Sequence, residues 1–114
     1  MSSFLLALSL AADPLALVGD ASDKLSLCVF SKTEQFSPAH ESAETTVNAA
    51  LAACLTERAD FRTALRKSLN EKSPSLSKDG AREVEQKSYD LTVGAVRDQA
   101  LVRIVTARAK NAKN

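Results

Sequence analysis

The sequence predicts an all-α fold, a three-helix bundle built around a long helical hairpin, on three observations. Apolar residues recur at helical spacing in three separate segments. Only three Gly and three Pro are present, few for the many turns of an all-β protein, whereas Ala, the best helix former, is abundant. Two cysteines, Cys28 and Cys54, each fall on an apolar stripe, with a Ser-Pro breaker between their helices. That pattern predicts a disulfide joining the first and second helices.

The 114 residues make one domain. Residues 4–10 form a short apolar run, Ser9 and Ala11 are small residues at the two positions a signal peptidase reads, and Asp13 and Pro14 follow. Residues 1–11 are therefore expected to be a signal peptide and residues 12–114 a single helical domain. The segment lacks a basic residue before the apolar run and is shorter than the usual signal of about 15–30 residues. It is also far below the roughly 20 apolar residues needed to span a bilayer. The competing reading is an apolar helix packed on the core or on a second subunit.

The first helix is expected to start near Ser22, in the cap-rich run Asp20 to Asp23, and to carry Leu25, Cys28, Val29 and Phe36 inward. Pro38 ends it, and Ser37 is the expected N-cap of a second helix running to about Asn70. The second stripe reads Val47, Leu51, Cys54, Phe61, Leu65 and Leu69. Arg58 interrupts it and is expected to lay its stem on the apolar surface with its head in water. The stretch Asn70 to Gly80 is a loop by composition, and a third helix starts near Lys78 or Asp79 and runs to about Lys110, with an apolar face that is wide between Val93 and Val105. That face is the expected homodimer contact, through Val93, Val96, Leu101, Ile104 and Val105. Gly94 costs about 1 kcal/mol in mid-helix relative to Ala, which a close helix crossing would explain.

No catalytic or cofactor-binding constellation is present. The single His excludes a His-Glu-x-x-His zinc site and leaves no nucleophilic triad. His40 and Glu44, four apart, are better read as an ordinary acid-bearing helix start than as a metal site. Ser75 to Lys78 matches Ser-x-x-Lys without any of its companion motifs, and no Cys-x-x-Cys or Gly-rich phosphate loop exists. The cysteine pair instead points to an oxidising compartment, periplasmic or secreted. Its 25 intervening residues close a loop worth about 3 kcal/mol in the chain-entropy model.

Charge is asymmetric. Residues 1–57 hold two Lys against seven acids, net −5, and residues 58–114 hold thirteen Lys or Arg against seven acids, net +6. Arg58, Arg62 and Arg66 form a ladder at four-residue spacing with Lys67 beside it, and Arg103 and Arg108 load the C-terminal end. Like charges at that spacing repel, so the ladder calls for acids, with Glu34, Glu57 and Asp60 as candidates, or for an anionic partner. Nucleic acid is disfavoured by a sequence pI of about 7.8.

In composition the chain resembles short, exported, Ala-rich bacterial helical proteins with one Cys pair. Periplasmic stress chaperones of helical-hairpin type share that architecture, but their repeated Leu-Thr-x-x-Gln signature is absent. The expected role is a non-catalytic exported protein acting through a protein partner or by self-association. The alternative is an intracellular helical module that binds an anionic polymer or membrane surface through the basic half.

Overall fold

The computed structural model describes residues 14–112, so the expected signal at residues 1–11 lies outside the described residues. Among the described residues there are four α-helices and one 3-10 turn: α1 Pro14–Phe36, the 3-10 turn Ser37–Ala39, α2 Ala43–Ala53, α3 Leu55–Lys72 and α4 Lys78–Ala112. α2 and α3 together form one bent rod, so the bundle has three rods, as the sequence predicts. α1 packs on α2, α3 and α4, and α4 closes against α2 and α3. No helix among the described residues is long and apolar enough to cross a membrane.

The core contains Leu25 and Val29 from α1, Val47 and Ala50 from α2, Cys54 at the bend, Phe61 and Leu65 from α3, and Val96, Ala100 and Ile104 from α4. Apart from Ala50 these lie on the predicted stripes, whereas the stripe residues Cys28, Phe36 and Leu51 are only partly buried against the core. Small Ala50 and Ala100, both fully buried, keep side-chain bulk low where they meet the core.

Three boundaries depart from the sequence reading. α1 spans Pro14–Phe36 rather than starting near Ser22. Helical propensity in Leu15 to Val18, with Val18 and Ala21 packing on the core, outweighs the cap-rich run at Asp20. The second helix does not start at Ser37. Pro38 sits in the 3-10 turn, and His40 takes a left-handed conformation, φ 56°, that reverses the chain. The working N-cap is Ser42, whose hydroxyl accepts from the Thr45 amide at 3.1 Å.

The second helix is also not continuous. It breaks at Cys54, φ −104° and ψ 39°, where the Cys54 amide donates to the Leu51 carbonyl at 3.2 Å. Neither Pro nor Gly stands there. The Arg58 guanidinium also donates to the Leu51 carbonyl, at 3.4 Å, so a side chain has entered the backbone ladder at the bend. Finally, no close crossing explains Gly94: a Cβ built there meets nothing within 4 Å.

Candidate functional site

The cysteine pair is brought together as expected. Cys28 of α1 and Cys54 at the α2–α3 bend form a disulfide with a Cα–Cα distance of 6.1 Å, inside the usual disulfide range. Cys54 is fully buried and Cys28 half-buried. A Glu57 carboxylate oxygen lies within 4.8 Å of both sulfurs. With the disulfide formed, neither sulfur offers a thiolate, so the trio has no metal-ligand set. His40 and Glu44 do not share a helical face after all. His40 lies in the reversing turn, and Glu44 lies in the first turn of α2.

The arginine ladder is resolved by α4. Arg66 grips Glu85 with two bonds, Nε to Oε1 at 2.9 Å and Nη2 to Oε2 at 3.3 Å. Arg62 reaches the same carboxylate at 3.9 Å, donates to Gln86 at 3.2 Å, and lays its guanidinium 4.0 Å above the Tyr89 ring. Arg58 donates from Nε to the Tyr89 hydroxyl at 2.9 Å. Its head is thus held by Tyr89 and Leu51 at a half-buried position, rather than reaching into water as the sequence suggested. The counter-acid is Glu85, and no ion pair joins the ladder to Glu34, Glu57 or Asp60 among the described residues. Hydrogen bonding to Glu85, and secondarily its charge, holds the Arg66 guanidinium above its ordinary range.

Glu85 is buried, with 7 % of its surface exposed. Two charge-assisted bonds donated by Arg66 to the two carboxylate oxygens, with the Arg62 charge beside them, make such burial tolerable. Sequence reasoning missed Glu85, Gln86 and Tyr89. A signal was present, since Glu85 is in register with Tyr89, Val93, Val96 and Ala100 on the inward face, as Arg58 is on the second stripe.

Beside the ladder, Arg62, Arg66, Lys78 and Arg82 line an open cleft of about 690 Å³ between α3 and α4. Among the described residues Lys78 and Arg82 make no ion pair, and Glu83, on the same cleft, pairs with Lys87 at 3.7 Å. Lys67 is exposed, likewise without an ion pair among the described residues. The C-terminal arginines are spent on the fold. Arg108 donates to the Glu41 carbonyl at 2.7 Å, the Ser37 carbonyl at 3.2 Å and the Thr46 hydroxyl at 3.4 Å, tying α4 to the turn after α1. Arg103 stacks on Phe30 of α1, its guanidinium 3.9 Å from the ring centroid.

The expected dimer face divides in two. Val96 and Ile104 are buried in the monomer and cannot meet a second copy, and Val93 and Leu101 pack partly on the core. Val105 points outward with Val84, Leu91 and Val102, all exposed. Steps of seven, eleven and three residues place these four on one face of α4.

No family model matches the chain, and no curated protein or solved structure is significantly similar to it.

Proposed function

We propose that this is a non-catalytic helical protein of an oxidising compartment, periplasmic or secreted, acting through a protein partner or by self-association. The Cys28–Cys54 disulfide carries this reading, because disulfides persist outside the reducing cytosol and staple small domains. The outward face of α4 supplies the contact surface, with Leu91 and Val102 65 % or more exposed and Val105 beside them. The non-catalytic part of the reading is supported by the sequence, whose single histidine excludes a His-Glu-x-x-His zinc site and leaves no nucleophilic triad.

Intact mass of the protein from its native host, with thiols alkylated before and after reduction, tests the compartment. Two thiols that react only after reduction support it, and two thiols free from the start overturn it. Light scattering tests self-association: a dimer lost in Val102→Lys supports it, and a monomer at high concentration leaves only a heterologous partner.

A second reading draws on the α3–α4 cleft, where Lys78 and Arg82 stand beside Arg62 and Arg66. In that reading the protein binds an anionic polymer or membrane surface. Binding to heparin that falls steeply with salt would favour it over the first.

A further inference from the structure

A cavity of about 300 Å³ lies between the C-terminal halves of α1 and α4, lined by Phe30, Thr33, Glu34, Pro38, Arg103 and Ile104 among others. That volume falls at the small end of the range of ligand pockets, about 300–1,000 Å³. Its walls are chiefly apolar, with a few polar groups placed among them.

Two of those polar groups have unused capacity. Thr33 is 4 % exposed, and its hydroxyl has no hydrogen-bond partner. A buried hydroxyl left unpaired is costly, and a mid-helix Thr ordinarily relieves that cost by bonding the carbonyl four residues back, which Thr33 does not do. Valine would fill the same space without the penalty. Arg103 is held flat on Phe30 at 3.9 Å, yet it makes no ion pair among the described residues, although Glu34 lines the same cavity. Its position is fixed by the ring and its charge is left over.

We propose that this cavity binds a small monocarboxylate with an apolar body. The carboxylate lies against the Arg103 guanidinium and accepts a hydrogen bond from the Thr33 hydroxyl. The Thr33 hydroxyl is covered in the unliganded structure, so engaging the ligand requires it to change rotamer, and Thr populates two χ1 wells in a helix. The apolar body lies on Phe30, Pro38 and Ile104. Glu34 at the same cavity opposes a second negative charge, which restricts the ligand to a monoanion.

Benzoate is a suitable probe, with benzyl alcohol as its uncharged counterpart, each titrated into the full, oxidised chain and followed by backbone amide NMR shifts. Saturable benzoate shifts centred on Phe30, Thr33 and Arg103, with benzyl alcohol at least tenfold weaker, are expected. Arg103→Gln weakens benzoate about tenfold or more. Thr33→Val weakens benzoate severalfold while raising the melting temperature of the unliganded protein, a combination that a merely structural threonine does not give. Absence of saturable shifts, equal binding of the alcohol, or unchanged benzoate affinity in both variants would overturn the proposal.

Discussion

The two halves of α4 differ in what they bury. From Val96 onward its buried residues are Val96, Ala100 and Ile104, all apolar, in one core with Leu25, Val29, Val47 and Ala50. Before Val96 the one buried residue is Glu85, and the half is held by Arg58, Arg62 and Arg66 reaching across from α3 to Glu85, Gln86 and Tyr89. Apolar burial is non-directional and stabilises in proportion to area. The polar rungs stabilise less, because each exchanges bonds to water for bonds to protein, but they fix which residue faces which. The comparison teaches that the C-terminal half of α4 has an apolar core as well as the Arg103 and Arg108 contacts, whereas the N-terminal half depends on its polar rungs for both cohesion and register.

The largest effect should come from the apolar half. Ile104→Ala removes a side chain that is 3 % exposed and should cost about 2–4 kcal/mol in denaturant unfolding. A loss under about 1 kcal/mol would mean that the core closes around the gap and that cohesion lies elsewhere. Removing the disulfide by the double change Cys28→Ser and Cys54→Ser should cost about 3 kcal/mol. In thermal unfolding that is a fall of roughly 15 °C. Reduction of the unaltered chain should reproduce it.

Glu85→Gln tests the polar half and should cost about 1–2 kcal/mol, less than Ile104→Ala, since Arg62 and Arg66 can recover water when the carboxylate is gone. Raised melting in that variant would show that burying the carboxylate is itself a net burden. The pair should hold throughout the alkaline range in which the fold is studied. The Arg66 pKa is raised in the folded protein, so this contribution is complete below the unfolded guanidinium value and fades only as pH passes above the folded one. The smallest change should be a gain. Gly94→Ala meets nothing within 4 Å and should stabilise by about 0.5–1 kcal/mol. A loss there would reveal a partner packed on that part of α4, which oligomer measurements could then locate.

Much of the candidate site could be read in the chain, but not its pairings. The Arg58, Arg62 and Arg66 ladder is visible as spacing, and so is its need for acids. Glu85 is its actual partner, 19 residues beyond Arg66 and across a loop. Spacing reports which residues share a face of one helix, and it carries no information on the register between two helices. The same limit explains the dimer face. A wide apolar stretch from Val93 to Val105 is legible, but whether Val96 or Val105 turns inward depends on how α4 is rotated against α1 and α2.

By itself the sequence determined the helical class, the three rods, the inward stripes and the Cys28–Cys54 pair, because helical periodicity and breaker residues act over a few neighbours in the chain. Only the tertiary structure decided the bend at Cys54, the left-handed His40, the burial of Glu85 and the cavity beside Thr33. Most depend on a group far along the chain, such as Arg108 on the Ser37 carbonyl or Arg103 on Phe30, and the Arg58 that enters the bend is itself held by distant Tyr89. Such contacts are set by the packing of whole helices, which no local pattern encodes.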